Sequence, residues 1–304
     1  MMNVILDTDI GSDCDDAGAL AVLHTFAAKG RCDILAVTHC LSRESGPAAI
    51  DAINRYYGRG DIPIGTLKLP GYLPQLGSTV IYSDILQQQF ETAYPPGAPC
   101  EDATALLRRT LAAQPDGSVQ LAAIGPLTNL RLLMQSPPDR ASPLAGDALF
   151  HQKAARLCIM GGLFQPGIAQ AEFNIASDVE SARYVFENTR LPVEILPWEA
   201  ADGILTGQAL LNSGDECNPV YVSYQSYCGT PRASWDPCTV LYLLDPAPAL
   251  WRTTGWGAVT VDGEGVTRFE ERPGGHARIV TPADPEAVRQ RLEAALLPKS
   301  TTDN

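Results

Sequence analysis

The chain has 304 residues, of which 45% are apolar and 19% are charged, a composition typical of a globular enzyme with a sizeable core. Its formal net charge of -13 argues against a partner with a phosphate backbone, so no nucleic-acid partner is expected. No apolar run approaches the length of a membrane span, and no basic leader precedes the first apolar run. We therefore expect no membrane association and a cytoplasmic location.

Short β-rich runs alternate with helical patterns over the first two thirds of the chain. The predicted strands are Asn3–Leu6, Ile34–Thr38, Val119–Ile124, Leu157–Met160 and Val193–Leu196. The predicted helices are Asp16–Ala28, Pro47–Tyr57, Asp102–Ala113, Leu127–Met134 and Val179–Asn188. This rhythm predicts an α/β fold, an open and mostly parallel β-sheet flanked by helices on both faces, with a Rossmann-like core. In such sheets, ligands bind at the carboxyl ends of the strands.

The last third of the chain is less regular. Helices are predicted at Ala201–Leu211, Pro237–Leu244 and Pro285–Leu296, and a late pair of antiparallel strands at Ala258–Val261 and Arg278–Val280. Leu67–Pro99 reads as an irregular excursion, and the composition of Asn212–Ser234 predicts a loop over a site. No linker interrupts the pattern, so residues 1–304 are predicted to form a single domain.

An acidic segment follows the first predicted strand directly. Five carboxylates lie within ten residues: Asp7, Asp9, Asp13, Asp15 and Asp16. Burying carboxylates is costly and crowding them adds repulsion, so a cation is expected to neutralise them. Hard oxygen ligands favour Ca²⁺ or Mg²⁺.

Taken alone, this segment also permits two other interpretations. An EF-hand alignment leaves Ala17 and His24 at ligand positions, so the bidentate carboxylate is missing and the pattern fails. A phosphatase of the haloacid dehalogenase type would use Asp7 as nucleophile and Asp9 as acid/base with Mg²⁺. That interpretation leaves Asp15-Asp16 unexplained.

Three further segments follow predicted strands and are expected to converge with the acidic segment. They are Gly125–Asn129, Gly161-Gly162 with Glu172-Phe173-Asn174 shortly after, and Pro197-Trp198-Glu199. Together these motifs resemble the inosine-uridine preferring nucleoside hydrolase family. The matching elements, in chain order, are Asp7-Thr8-Asp9-Ile10-Gly11, Asp15-Asp16-Ala17, Gly125–Asn129, Met160-Gly161-Gly162, Ala171–Asn174 and Asp236.

The resemblance implies Ca²⁺-dependent hydrolysis of the N-glycosidic bond of a ribonucleoside or related N-riboside, with a metal-activated water as nucleophile. By similarity, the Ca²⁺ ligands would be Asp9, Asp16, the carbonyl of Ile124, and Asp236. Asp15 would be the general base, whereas Glu172 and Asn174 would hold the ribose hydroxyls. The predicted substrate-binding set is Glu172, Asn174, Trp235, Met160 and Phe173. The resemblance also implies a small-molecule ribosyl substrate and a homo-oligomer, either a dimer or a tetramer.

The chain departs from the family pattern at three places. Its acidic loop is two residues longer, and alignment on the glycine instead would make Asp13 the base and put Cys14, a poor Ca²⁺ ligand, at a ligand position. The family's Gly-Asn after the second strand is replaced by Ser42-Arg43-Glu44. Trp235 stands where the family usually has the His that protonates the leaving base, and indole is no general acid. A catalytically impaired ribose- or nucleoside-binding protein of the same fold is therefore the alternative function.

Overall fold

The computed structural model of the protein describes residues 1–11, 13–69 and 81–297. Its strands are β1 (Met2–Thr8), β2 (Cys32–His39), β3 (Ile64–Thr66), β4 (Glu101–Asp102), β5 (Val119–Ala123), β6 (Ala154–Met160), β7 (Val193–Leu196), β8 (Leu205–Thr206), β9 (Arg232–Ala233), β10 (Trp251–Thr253), β11 (Gly257–Val261), β12 (Thr267–Glu271) and β13 (Ala277–Pro282). Its helices are α1 (Asp15–Ala28), α2 (Ser45–Tyr56), α3 (Tyr82–Gln89), α4 (Ala103–Ala112), α5 (Thr128–Gln135), α6 (Gly146–Lys153), α7 (Phe173–Ser177), α8 (Val179–Asn188), α9 (Trp198–Ala201), α10 (Gln208–Ser213), α11 (Pro219–Tyr227), α12 (Trp235–Leu244) and α13 (Pro285–Leu296).

Within these ranges, one large sheet has the strand order β12-β11-β13-β7-β6-β5-β1-β2-β3-β4, with β10 paired to β13. Every neighbouring pair from β13 to β4 is parallel. The strands β10, β11 and β12 pair antiparallel at one side. The predicted mostly parallel sheet is confirmed, and so is the antiparallel pairing of the late strands β11 and β13.

The central strand β1 contributes side chains to cores on both faces of the sheet. Val4 and Leu6 pack in the cluster that contains α1 and α12. Ile5 points to the other face and packs in the cluster that contains Leu107 of α4 and Leu130 of α5. Because successive side chains of a strand alternate between faces, a continuous apolar run is what a sheet covered on both sides requires.

Helix α1 is buried along most of its length and packs against α12 and α13. Its approach to α12 depends on Gly18. A Cβ at this position would lie 2.5 Å from the Tyr224 hydroxyl and 3.2 Å from Cγ of Pro237, the third residue of α12. The missing side chain therefore lets the first turns of α1 and α12 lie side by side.

Sequence patterns were less informative in three segments. The predicted loop Asn212–Ser234 contains α11, whose start is capped by Asn218 accepting from the N–H of Val220. The predicted helix Ala201–Leu211 is wrong, because Gly207 has a φ of +104° and separates β8 from α10. The predicted excursion at Leu67–Pro99 contains α3, and residues 70–80 lie outside the described residues.

No helix among the described residues combines the length and the apolar character needed to cross a bilayer. The single domain over residues 1–304 stays a prediction.

Candidate active site

A cavity of about 390 Å³ opens at the carboxyl ends of β1, β5 and β6. It is lined by Asp9, Asp13, Asp15, Asp16, Ile124, Met160, Glu172, Phe173, Asn174, Trp198, Tyr227, Arg232, Trp235 and Asp236. Every residue that the family resemblance implied for catalysis, metal binding or substrate binding therefore lines one cavity. The expected convergence of segments that follow different strands accounts for this grouping.

Three carboxylates form the floor of the cavity. Asp15 and Asp16 lie in the first turn of α1, and Asp236 lies in the first turn of α12. One oxygen of each lies within 4.8 Å of the others, and all three side chains are buried. The Asp236 N–H donates to Oδ2 of Asp15 over 3.1 Å, and the hydroxyl of Thr8 donates to Oδ1 of Asp16. Two helix N-termini thus supply partial positive charge to a crowded acidic group.

The partial positive charge of the two helix N-termini does not fully offset the cost of burying these carboxylates. Burial raises the pKa of Asp15, Asp16 and Asp236 well above the ordinary range, and neighbouring carboxylates raise it further. Burial also raises the pKa of Asp9 from 3.8 to about 7, and the charges of Glu172 and Asp13 add to the effect. A cation close to these oxygens would remove the penalty on their ionised forms.

Asp13 has a different environment from the floor carboxylates. Nε of Arg232 donates to both of its oxygens, over 3.1 and 3.2 Å, and Nη2 donates to Oδ2 over 2.5 Å. The Tyr227 hydroxyl is a further donor to Oδ2 at 3.3 Å. Sequence reasoning missed Arg232. The available signal was that Arg232 is the only Lys or Arg within Asn212–Ser234, the segment predicted to cover a site.

Glu172 and Asn174 lie on the wall of the cavity above the floor. The Glu172 carboxylate caps α7 and accepts backbone N–H groups from Gly162, Asn174 and Ile175 over 2.9–3.3 Å. Because a carboxylate has about four lone-pair sites, it can accept one more hydrogen, such as that of a hydroxyl. Nδ2 of Asn174 donates to the carbonyls of Ile124 and Met160 over 3.3 and 3.2 Å. Its Oδ1 makes no hydrogen bond to another described residue.

Aromatic side chains form the mouth of the cavity. Phe173 and Trp198 are 41% and 39% exposed, which is unusual for such large apolar groups. The rings of Trp198 and Trp235 are stacked, with centroids 6.2 Å apart, and Nε1 of Trp235 donates to the Trp198 carbonyl over 2.9 Å. Since its only N–H is already bonded, Trp235 offers a ligand the face or edge of its ring. Tyr227 also lines this part of the cavity.

Several other residues with chemically active side chains lie outside this cavity. Asp7 is 1% exposed and accepts hydrogen bonds from Thr38 and Asn129, so the phosphatase interpretation, which requires a reactive Asp7, loses its support. His39 is fully buried, and burial lowers its pKa to about 4. The segment Ser42-Arg43-Glu44 lines a separate cavity of about 280 Å³. Among the described residues, no histidine lines the cavity that holds the carboxylates.

Comparison with known proteins agrees with this geometry. A family model described as "Inosine-uridine preferring nucleoside hydrolase" matches residues 4–290. The chain is 28% identical over 275 residues to the pyrimidine-specific ribonucleoside hydrolase RihA of Citrobacter koseri, covering 80% of this chain and 79% of that one. It is 27% identical over 291 residues to the non-specific ribonucleoside hydrolase RihC of Klebsiella pneumoniae, covering 86% and 88%.

A solved structure shares the fold. The inosine-uridine preferring nucleoside hydrolase of Bacillus anthracis superposes with a TM-score of 0.74 at 17% identity, covering 97% of this chain and 99% of that one. Because the family model spans nearly the whole chain, the resemblance inferred from the motifs is confirmed. The protein belongs to the inosine-uridine preferring nucleoside hydrolase family and is a hydrolase of N-glycosyl bonds.

Proposed function

We propose that the protein catalyses Ca²⁺-dependent hydrolysis of the N-glycosidic bond of a ribonucleoside or a related N-riboside. The observation that carries this proposal is the group of three buried carboxylates, Asp15, Asp16 and Asp236, at the floor of a cavity with an aromatic mouth. The acidic floor suits a cation and the hydroxyls of a sugar, and the mouth suits a flat heteroaromatic group.

The donor set fits a hard divalent cation. Carboxylate oxygens of Asp15, Asp16 and Asp236 lie within 4.8 Å of one another, and the carboxylate of Asp9 and the carbonyl of Ile124 line the same cavity. Oxygen-only donors favour Ca²⁺ over softer metals. We assign Asp9, Asp16, Ile124 and Asp236 as its ligands. When bound, the cation would lower the pKa of a water molecule.

Asp15 is our choice for the base that takes the proton from the attacking water. Asp13 is the weaker candidate because Arg232 and Tyr227 already occupy its oxygens. A carboxyl group whose burial raises its pKa is better matched to proton transfer near neutral pH than an ordinary one. An oxygen of Asp15 also lies within 4.8 Å of oxygens of Asp16 and Asp236, close enough to bind the same cation. A competing assignment therefore makes Asp15 a metal ligand and Asp9 the base.

Glu172 and Asn174 would bind the ribose. The remaining acceptor site of Glu172 and the unbonded Oδ1 of Asn174 can accept the hydroxyl hydrogens of the sugar, and a negative carboxylate nearby stabilises an oxocarbenium-like transition state. Trp235, Phe173 and Met160 would then contact the base, with Trp235 stacking on it.

A direct experiment uses the full chain after treatment with a chelator. Ribose release from uridine, cytidine, inosine, adenosine and guanosine is measured before and after addition of Ca²⁺ or Mg²⁺. We expect release from at least one nucleoside, restored by Ca²⁺ in preference to Mg²⁺. Binding of a nucleoside without release of ribose from any of them would contradict the proposal and identify the impaired binding protein instead.

A further inference from the structure

Arg232 is the only cationic side chain among the described residues that line the active-site cavity. Its position is fixed by Asp13, which accepts from Nε and from Nη2. Charge-assisted pairing of this bidentate kind restricts the orientation of a guanidinium. The contacts use Nε and Nη2 only, and Nη1 makes no hydrogen bond to another described residue. Two N–H groups of the guanidinium are thus available to a ligand.

The guanidinium lies at the aromatic mouth of the cavity. Its Cζ is 4.9 Å from the ring centroid of Trp235 and 5.3 Å from that of Tyr227. These are cation–π distances, and they place the charge beside the ring that is proposed to stack on the leaving base. Arg232 therefore belongs to the part of the cavity that contacts the base.

Hydrolysis requires a group at this position that stabilises the departing base. The bond between C1′ and the base nitrogen breaks and its electron pair goes to the base, while the water oxygen bonds to C1′ and its proton goes to Asp15. Negative charge thus develops on the base. Trp235 cannot protonate it, since its N–H is bonded to Trp198 and an indole is no acid near neutral pH. His39 is buried outside the cavity.

We propose that Arg232 stabilises the departing base by donating a hydrogen bond to it, and that Asp13 acts as the positioning residue for Arg232. This inference rests on the proposed function and specifies its substrate class. A guanidinium keeps its proton at any working pH, so it stabilises an anion without protonating it. The base leaves as an anion and takes its proton from solvent. The preferred substrates are ribosides whose leaving group has a hydrogen-bond acceptor and is stable as a delocalised anion.

The test compares two leaving groups in the full-length, Ca²⁺-loaded protein. One substrate is the ribonucleoside hydrolysed best in the nucleoside panel, and the other is 4-nitrophenyl β-D-riboside, whose nitrophenolate needs little stabilisation. For Arg232→Met we expect kcat/KM for the nucleoside to fall by about 10- to 100-fold, the effect of one charge-assisted hydrogen bond, and that for the nitrophenyl riboside to change by less than about 3-fold. Arg232→Lys should retain more nucleoside activity than Arg232→Met. For Asp13→Asn, kcat/KM for the nucleoside should lie between the values of the wild type and of Arg232→Met. As in Arg232→Met, the loss should affect the nucleoside and not the nitrophenyl riboside.

Two measurements separate this role from damage to the fold. Bound Ca²⁺ should stay unchanged in Arg232→Met, and binding of the free nucleobase, followed by quenching of tryptophan fluorescence, should weaken. Equal losses on both substrates, or no loss on either, would overturn the inference while leaving the proposed function standing. Failure of the wild-type protein to hydrolyse any nucleoside would overturn the proposed function and this inference with it.

Discussion

The backbone N–H of Asp236 donates a 3.1 Å hydrogen bond to Oδ2 of Asp15, and this contact joins the first turns of α12 and α1 at the floor of the cavity. It holds Oδ2 of Asp15 in place, so the proton transfer that we propose for Asp15 would use the other oxygen. The contact also brings together carboxylates that are far apart in the chain, so that the proposed cation ligands and the proposed base share one floor.

Replacing Asp15 with Asn should abolish turnover while leaving bound Ca²⁺ largely intact. The amide keeps the shape and the hydrogen bond from Asp236 but cannot take a proton, so kcat should fall by at least about 100-fold. The measurement combines ribose release with metal content. Asp116→Asn is the matched control, because Asp116 is an exposed carboxylate that pairs with Lys153. Loss of metal in Asp15→Asn, with metal retained in Asp9→Asn, would show that Asp15 is the metal ligand and Asp9 the base.

Stability of the metal-free protein should fall as the pH rises. Burial raises the pKa of Asp9 from 3.8 to about 7, so the folded state binds more protons than the unfolded chain between these values. The contribution of Asp9 to the free energy of unfolding is present below about pH 4 and is lost as the pH rises through about 7. The loss is about 1.4 kcal/mol for each unit by which the pKa is raised. Chemical unfolding after chelation, measured from pH 5 to pH 8, tests the trend.

Cation binding should show the opposite dependence on pH. Binding requires ionised carboxylates and releases protons from them, so Ca²⁺ should raise the Tm more at pH 8 than at pH 5.5. Differential scanning calorimetry with and without Ca²⁺ measures the increase in Tm at each of the two pH values. Equal shifts at the two pH values would mean that the floor carboxylates are already ionised in the metal-free protein.

Removing the ring of Trp235 should weaken binding of the base more than it affects chemistry. Trp235→Ala should raise KM for a nucleoside by about 10-fold or more, the usual effect of losing one base–aromatic stack, whereas Trp235→Phe should retain most of the affinity. Trp256→Phe is the control, because Trp256 is exposed, packs against Arg278 and does not line the cavity. A Trp235→Ala variant with unchanged KM would exclude stacking on this ring.

The packing of α1 on α12 gives a prediction about stability alone. Gly18→Ala would ordinarily strengthen a helix, but the new Cβ would lie 2.5 Å from the Tyr224 hydroxyl. We expect a net loss of about 1–3 kcal/mol, or a Tm lower by about 2–5 °C. Gly263→Ala is the control, because a Cβ there meets nothing within 4 Å. An increase in Tm for Gly18→Ala would show that the two helices can separate without cost.

The sequence predicted the sheet and the cavity floor well because both depend on local patterns. The apolar run of β1, the carboxylates that follow it and the acidic start of α1 are neighbours in the chain, and the order of strands and helices implies where they meet. The cationic group at the mouth of the cavity is different. Arg232 belongs to no motif, and its position depends on the contact with Asp13, which is 219 residues away. Such a contact between distant residues leaves no periodic signal in the sequence.

Local breakers and caps explain the missed elements. Asn218 and Pro219 begin α11 within a stretch whose Gly, Ser and Tyr content resembles that of a loop. Gly207 adopts a positive φ between β8 and α10, which interrupts the predicted helix at Ala201–Leu211. In both cases one or two residues decide the structure against the average composition of the segment.

The contact between Asp15 and Asp236 spans 221 residues and has a consequence for the order of synthesis. The central strand and its acidic loop leave the ribosome well before the last carboxylate of the floor, which is synthesised 221 residues after Asp15. A nascent chain therefore carries a cluster of carboxylates that lacks its contact with Asp236 until α12 has packed against α1. The proposed cation site can therefore assemble only after α12 has been synthesised, although its first carboxylates are made much earlier.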